Sequence, residues 1–502
     1  MLRSLILLAL LVSSISYATT RQIEIDQAVE TKHQTRINGQ RVQYSALTGT
    51  QPVWDEQGEP VATLFYTYYR RTDVTDVGRR PLMISFNGGP GSASVWMHVA
   101  YTGPKVLNID AEGYPVQPYG VKTNPYSVLD VADIVFVNPV NTGYSRVVPN
   151  SQGELLSREQ QRELFFGVNA DVSYLAEWIN TFVTRHNRWT SPKFLIGESY
   201  GTTRVAGLAL ELQNRQWMYL NGVILVSPTD MGIDRQGPVK AANRLPYFAA
   251  TAWYHGVLPD DLQQRDLYEL LPEVEDFTLN QYLPALAKGA FIDEAEKQRI
   301  AEQVARYSGL SLQSVLGSNL DIDTAFFWKD LLRDQGKTLG RLDSRYLGID
   351  KKEVGDRPDY WAELTSWLHS FTPAINHYIR NDLNYVTDIK YNMFGPVHPW
   401  DRSNDNTGDN LRQAMAQNPY LQVLFQAGYY DGATNYFDAK YSMWQLDPSS
   451  KMRDRLHFAG YRSGHMMYLR YEDLKKSNDD LRNFIRAALP ANDQSAKYHL
   501  AD

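Results

Sequence analysis

PKFLIGESYGTTRVAGLAL, residues 192–210, is the stretch from which the rest of the chain can be interpreted. It starts with a short apolar run, residues 194–196, which is typical of a buried parallel strand. GESYG then fits G-x-S-x-G, and residues 203–212 are rich in Ala and Leu, which favour a helix. Strand, tight turn and helix are the context in which this pattern forms a nucleophile elbow, so we predict that Ser199 is a nucleophile. A plain glycine turn is the alternative.

Length and composition limit the classes of protein. A chain of 502 residues predicts one large domain with an insertion, or two to three domains, and 43% hydrophobic residues suffice for a core. The net charge of −7 offers no basic surface, which argues against a nucleic-acid partner. The chain has no Cys, so it can form neither disulfides nor a Cys-linked lipid anchor.

The N-terminus has the features of a targeting segment. Arg3 precedes an apolar run at residues 5–12, and small residues follow before a predicted cleavage after Ala18. The run is too short to span a membrane. We therefore expect a signal peptide at residues 1–18 and a soluble mature protein that is secreted or periplasmic; a retained N-terminal anchor is the alternative.

Short apolar runs alternate with helical patterns along most of the chain. This order predicts an α/β fold with a mostly parallel, doubly wound sheet, after an antiparallel opening within residues 19–80. The predicted strands are residues 43–46, 61–64, 65–69, 82–86, 134–137, 194–196, 223–226, 421–426 and 456–460. The predicted helices in this part are residues 160–185, 203–212 and 481–489.

Strand signals vanish between about residues 229 and 371, where charged residues alternate with Leu, Ala and Tyr. We predict a mainly helical cap insertion at residues 229–371 that divides a core of residues 19–228 and 372–490, with a polar tail at 491–502. A separate helical domain that binds a partner is the alternative for the insertion.

A glycine-rich loop follows the predicted strand at residues 82–86. It reads NGGPGS, residues 87–92. A glycine pair at the C-terminal end of a strand lets backbone N–H groups point into open space, which is how the second half of an oxyanion hole is built. A turn without a ligand is the alternative.

Two residues late in the chain can complete a catalytic triad. A Ser nucleophile needs a base, most often His, and the His needs an acid that holds its tautomer. Of the ten His residues, only His465 follows a strand directly, behind a Gly. Asp431 also follows a strand. Ser199, Asp431 and His465 occur along the chain in the order Ser, acid, His, which is the order that accompanies a nucleophile elbow. Asp438 is the alternative acid.

With these residues in place, the chain resembles the serine carboxypeptidase family of α/β-hydrolases, as a bacterial-type member without cysteines. The resemblance covers roughly residues 40–490 and is carried by NGGPGSAS (87–94), NPVNTGYS (138–145), GESYG (197–201), the Asp431 loop and SGHMM (463–467). It implies an α/β-hydrolase fold with a helical cap.

The resemblance also implies a role for several residues around Ser199. The backbone N–H groups of Gly89 and Tyr200 would form the oxyanion hole. Asn87 and Glu198, with Gly88 beside them, would bind the terminal carboxylate of a peptide. Glu198 would then need a proton, because two carboxylates repel each other.

The chain departs from the family pattern at three places. Ser92 stands where members often have Cys, and NPVN (138–141) replaces Gln-Pro-Val-Gly. Tyr101 stands where better-known members carry a Glu that shares a proton with the acid beside the nucleophile.

The predicted function is that of a serine-type carboxypeptidase, which removes C-terminal residues from peptides through an acyl-enzyme intermediate. Its partner would be a peptide with a free C-terminus; no cofactor or metal is implied, and the sequence has no H-E-x-x-H. A serine acyltransferase or esterase with the same triad is one alternative. A non-enzymatic binding protein on a hydrolase fold is the other.

Overall fold

The computed structural model describes residue 21, residues 23–403 and residues 405–490. The predicted signal peptide and the predicted polar tail lie outside these residues. Within the described part, no helix is both long and apolar enough to cross a membrane.

The strands are short in the central sheet and longer at its N-terminal edge. They are β1 (Ala28–Ile37), β2 (Gln40–Trp54), β3 (Pro60–Arg71), β4 (Leu82–Phe86), β5 (Lys105–Leu107), β6 (Val121–Thr123), β7 (Asp133–Val137), β8 (Arg146–Val147), β9 (Lys193–Glu198), β10 (Gly222–Val226), β11 (Thr338–Leu339), β12 (Leu347–Gly348), β13 (Gln422–Gly428) and β14 (Leu456–Tyr461).

The α-helices connect these strands and fill the long interval between β10 and β13. They are α1 (Val95–His98), α2 (Arg158–Phe165), α3 (Val168–Arg185), α4 (Tyr200–Arg215), α5 (Pro238–Ala242), α6 (Leu245–Tyr254), α7 (Asp260–Gln263), α8 (Leu267–Phe277), α9 (Leu283–Lys288), α10 (Glu294–Ser308), α11 (Leu312–Gly317), α12 (Thr324–Asp330), α13 (Ala362–Asn381), α14 (Thr407–Gln417), α15 (Tyr436–Leu446) and α16 (Tyr471–Ala487).

One large sheet organises the molecule, in the order β1-β2-β3-β7-β4-β9-β10-β13-β14, with β8 paired to β3. In the part of this order that runs β7-β4-β9-β10-β13-β14, every neighbouring pair is parallel. The first three strands are antiparallel, and β3 joins β7 antiparallel. The predicted fold class is confirmed, because the sheet is mostly parallel and β9 and β10 lie at its centre.

The central strands are apolar throughout because both faces of the sheet are covered. Met83 of β4 belongs to the core on one face, whereas Leu82 and Ile84 belong to the core on the other face. In β9, Ile196 belongs to the same core as Met83, and Leu195 belongs to the core on the opposite face. Side chains alternate between the faces of a strand, so a sheet that packs on both sides requires continuous apolar runs.

The prediction of a single helix at residues 160–185 is wrong, because two helices, α2 and α3, occupy this region and are separated by residues 166 and 167. Gly167 is extended there, with φ −166° and ψ 164°. The Val168 N–H donates to the Asp401 carbonyl at 2.9 Å, and the Asp401 N–H donates to the Phe166 carbonyl at 3.0 Å. A distant segment therefore takes the backbone groups that would otherwise continue the helix.

The region between β10 and β13 is mainly helical and has an apolar core of its own. Phe248, Val274, Val304 and Phe327, from α6, α8, α10 and α12, belong to this core. The predicted absence of strands is wrong in one detail, since β11 and β12 form a two-residue pair here. The predicted boundary between residues 371 and 372 falls inside α13.

Candidate active site

Ser199 lies at the turn between β9 and α4 with a backbone conformation that L-residues rarely adopt. Its φ is 57° and its ψ is −127°, a conformation that costs on the order of 1–3 kcal/mol and persists only where the surrounding structure imposes it. The Ser199 N–H donates to the Val226 carbonyl of β10 at 2.9 Å. A Cβ at Gly197 would lie 2.1 Å from the Gly201 carbonyl oxygen. Glycine is therefore required where the strand and helix crowd together.

The glycine-rich loop after β4 packs directly against this turn. A Cβ at Gly88 would lie 2.4 Å from the Tyr200 backbone nitrogen, so the two backbones are in contact. Gly89 follows with φ +106° and is exposed. Tyr200 is the first residue of α4, where backbone N–H groups lack partners within the helix and favour negative charge.

His465 and Asp431 form a hydrogen-bonded pair at the C-terminal ends of β14 and β13. The His465 Nδ1 lies 2.6 Å from the Asp431 Oδ2. The Asp431 Oδ1 accepts from the backbone N–H groups of Ala433 at 2.8 Å and Thr434 at 3.1 Å. The Thr434 hydroxyl donates to Asp431 Oδ2 at 2.7 Å. The carboxylate is thus fixed from both sides.

The surroundings of His465 act on its pKa in opposite directions. Burial alone would lower its pKa, but the charge of Asp431 and their hydrogen bond outweigh burial, and the pKa is raised. Two further bonds fix the loop: the His465 N–H donates to the Leu342 carbonyl at 2.6 Å, and the Ser227 hydroxyl donates to the His465 carbonyl at 2.7 Å.

Asp438, the alternative acid, lies in α15 and has other partners. Its carboxylate accepts from the side-chain amides of Asn243 at 3.0 Å and Asn435 at 2.6 Å, and it lies 3.6 Å from Arg235. Of the two Asp residues considered from sequence, the structure therefore pairs Asp431 with His465.

Ser199 and His465 line one cavity of about 340 Å³, a volume typical of small-molecule sites. Side chains from the sheet loops and from the region between β10 and β13 contribute to its wall. The lining residues are Gly88, Gly89, Ser92, Trp96, Glu198, Ser199, Tyr200, Thr229, Arg341, Leu342, Leu364, Trp367, Phe394, Arg402, Ala433, Thr434, His465 and Met466.

Glu198 lines this cavity, and Asn87 precedes its lining residue Gly88; both side chains are buried. Burial raises the pKa of Glu198 to about 7, against the lowering effects of His465, the Tyr468 hydroxyl and the Asn87 amide. The Asn87 Oδ1 accepts from the Met97 N–H at 3.2 Å. Its Nδ2 has no hydrogen bond of good geometry among the described residues. A buried donor of this kind normally has a partner.

Sequence reasoning missed a buried ion pair that joins α3 and α4 beside the site. The Arg204 Nε, in α4, donates to Asp171 Oδ2 at 2.7 Å, and both side chains are fully buried. Arg204 also donates to the Asn87 carbonyl at 2.7 Å. The available signal was a lone Asp on the apolar stripe of α3, between Val168 and Val172, because a buried carboxylate requires a partner.

We expect Asp171→Leu to destabilise the protein by about 3–5 kcal/mol, because it leaves the Arg204 charge buried without a partner. Urea unfolding would measure the loss. The double variant Asp171→Leu/Arg204→Met removes both charges and should recover much of the stability. A single variant as stable as the wild type would contradict the importance of the pair.

The described residues contain no group of three or more His, Asp or Glu side chains placed to hold a metal ion. The cavity and its immediate surroundings offer a Ser hydroxyl, a His–Asp pair and a carboxyl with a pKa near neutrality.

Comparisons with known proteins identify the family of the chain. A family model described as serine carboxypeptidase matches residues 43–453. Serine carboxypeptidase-like 31 of Arabidopsis thaliana is 26% identical over 281 residues, which cover 52% of this chain and 51% of that protein. Serine carboxypeptidase-like 36 of the same plant is 25% identical over 178 residues, which cover 34% of this chain and 33% of that protein. The chain thus spans about a third to a half of the length of these relatives.

A solved structure is similar over nearly the whole chain. It is Kex1(delta)p, a prohormone-processing carboxypeptidase from Saccharomyces cerevisiae, with 15% identity, a TM-score of 0.51 and coverage of 88% of this chain and 91% of that chain. At this identity the likeness shows a shared fold. Because the family model covers most of the sequence, the chain belongs to the serine carboxypeptidase family.

Proposed function

We propose that the protein is a serine carboxypeptidase with Ser199, Asp431 and His465 as its catalytic triad. The observation that carries the proposal is that Ser199 and Glu198 line the same cavity as His465, whose ring is hydrogen bonded to Asp431. This supports a site in which Ser199 and the neighbouring Glu198 act together with a base, His465, from a distant part of the chain.

The reaction begins when the His465 Nε2 takes the proton of the Ser199 hydroxyl as Oγ bonds to the scissile carbonyl carbon. The carbonyl oxygen gains the electron pair and is held by the N–H groups of Gly89 and Tyr200. The C–N bond then breaks as His465 gives its proton to the leaving amine. Water attacks the acyl ester, again with His465 as base, and Ser199 leaves as its hydroxyl.

Recognition of the C-terminus is assigned to Asn87, Gly88 and Glu198. The Nδ2 of Asn87 is buried near Glu198 and makes no hydrogen bond of good geometry among the described residues, so it is suited to donate to a carboxylate. Glu198, with a pKa of about 7, can share one proton with that carboxylate. An ionised Glu198 would repel it.

Amidation of the substrate tests this proposal. A blocked dipeptide with a free carboxylate should have a kcat/KM roughly 10- to 100-fold higher than its C-terminal amide, because the amide lacks the charge that the site would bind. Steady-state kinetics on matched pairs of peptides measures the ratio, at a pH below the Glu198 pKa of about 7. Equal rates would favour the esterase or acyltransferase alternative.

The domain organisation of the chain and the cellular location of the enzyme belong to the same proposal. Residues 229–371 act as a cap over the site, which is supported by Arg341, Leu342, Leu364 and Trp367 in the cavity wall. The core comprises residues 19–228 and 372–490. The N-terminal residues 1–18 direct export, so that the mature enzyme is secreted or periplasmic.

A further inference from the structure

We propose that Tyr468 is a positioning residue for Glu198: its phenol O–H holds the carboxyl and sets the pH range over which the site accepts a peptide's terminal carboxylate. The inference rests on the proposed function and deepens it. Tyr468 was not singled out from the sequence, and it lies three positions after His465 on the loop that follows β14.

The contact is buried and specific. The Tyr468 O–H donates to Glu198 Oε2, and the two residues are 0% and 3% exposed. The Tyr468 hydroxyl remains protonated because burial and the neighbouring Glu198 raise its pKa well above the ordinary value. It therefore acts as a permanent donor to the carboxyl.

A second tyrosine fixes the ring of the first. Tyr101 stacks on Tyr468 with a centroid distance of 4.6 Å and an interplanar angle of 7°. The Tyr101 O–H donates to Gln426 Oε1 at 2.8 Å, so it does not compete for Glu198. The position where better-known relatives carry a Glu thus supports the donor to Glu198 by packing.

Several charged or titratable groups face Glu198 from the elements around it. His465 and Tyr468 come from one loop, Asp431 from the loop after β13, and Tyr101 from the segment after α1. Among these, the Tyr468 hydrogen bond and the His465 charge lower the pKa of Glu198, whereas burial and Asp431 raise it. Asn87 also lowers the pKa of Glu198, but it is assigned to the peptide carboxylate. Tyr468 is therefore the neutral donor whose hydroxyl can be removed, by Tyr468→Phe, without changing the recognition groups.

The direction of the effect follows from the chemistry. The O–H donor stabilises the ionised carboxylate, so its loss raises the pKa of Glu198. Glu198 would then stay protonated at higher pH. Since the protonated form is the one that accepts a carboxylate ligand, Tyr468→Phe should extend peptide binding upward in pH, whereas simple loss of packing would weaken binding at every pH.

The experiment measures peptide binding by calorimetry to the Ser199→Ala protein, which cannot turn the ligand over. A blocked dipeptide with a free carboxylate and its amide are titrated between about pH 6 and pH 9. In the parent with Tyr468 intact, binding of the acid should weaken above about pH 7. With Tyr468→Phe the weakening should begin at a higher pH. At the upper end of the pH range, the variant should therefore bind the acid roughly three- to tenfold tighter than the parent does.

Two controls accompany the variant. For the peptide amide, Tyr468→Phe should not change the pH dependence of binding. Tyr101→Phe removes a hydroxyl from the stacked ring, 4.6 Å away between centroids, and should leave the pH dependence of the acid unchanged. If Tyr468→Phe does not fold, 3-fluorotyrosine placed at 468 gives a stronger donor on the same ring and should move the weakening to lower pH.

The outcomes separate the two claims. An unchanged pH dependence in Tyr468→Phe, or a displacement to lower pH, would overturn the role of Tyr468 while leaving the carboxypeptidase intact. If the parent protein binds acid and amide alike at every pH, recognition of the C-terminus fails, and both claims fall with it.

Discussion

Ser199→Ala is expected to lower kcat by about 10⁴- to 10⁶-fold, because the variant has no hydroxyl to form the acyl-enzyme. The cavity would keep its recognition groups, so peptide binding should persist. Turnover of a blocked dipeptide with a free C-terminus, measured with circular dichroism and a melting curve to establish folding, tests the expectation.

Ser92→Ala is the matched control for this substitution. Ser92 lines the same cavity, but its hydroxyl donates to the Ala93 carbonyl at 3.1 Å and accepts from Trp96 Nε1 at 2.7 Å. Loss of these two bonds should change the rate by less than about tenfold. Rates for Ser199→Ala within tenfold of the wild type would remove Ser199 from the mechanism.

An organophosphate distinguishes the enzyme from a binding protein on the same fold. The reagent should label the wild type at Ser199 and leave Ser199→Ala unlabelled, since only an activated hydroxyl attacks it. A folded wild-type protein that resists labelling would support the non-enzymatic alternative.

The parts of the site that could be predicted from sequence are those in which the chemistry and the local structure share one short segment. Ser199 lies in a turn whose glycines at 197 and 201 are required by close packing, and the Gly88–Gly89 pair begins two residues after the end of a strand. His465 likewise follows a strand. In each case the pattern of neighbours predicts both the backbone and the placement at the edge of the sheet.

The parts that sequence reasoning missed depend on partners far along the chain. The break before α3 is made by Asp401, and Tyr468 reaches Glu198 across 270 positions. Arg204 and Asp171 look like ordinary helix residues until α3 and α4 pack together. Local patterns report which groups need partners, but only the fold determines which partner each group finds.

Asp431→Asn is expected to lower kcat by about 10⁴-fold, the loss typical of a triad whose histidine is held in the wrong tautomer. The reason lies in how the carboxylate is held. Oδ1 accepts from the backbone N–H groups of Ala433 and Thr434 at 2.8 and 3.1 Å. In the Asp431→Asn variant the amide oxygen should keep those two bonds, because an NH₂ group cannot accept them.

The amide NH₂ would then occupy the place of Oδ2, which lies 2.6 Å from His465 Nδ1. A donor at that place requires an unprotonated Nδ1, so the proton moves to Nε2 and His465 can no longer accept from Ser199. Asp438→Asn is the matched control, since its carboxylate binds Asn243 and Asn435 instead of His465. Kinetics per folded molecule should show a large loss for Asp431→Asn and less than about a tenfold loss for the control. The reverse order would assign the acid to Asp438, and equal small losses would show that His465 needs no carboxylate to act as a base.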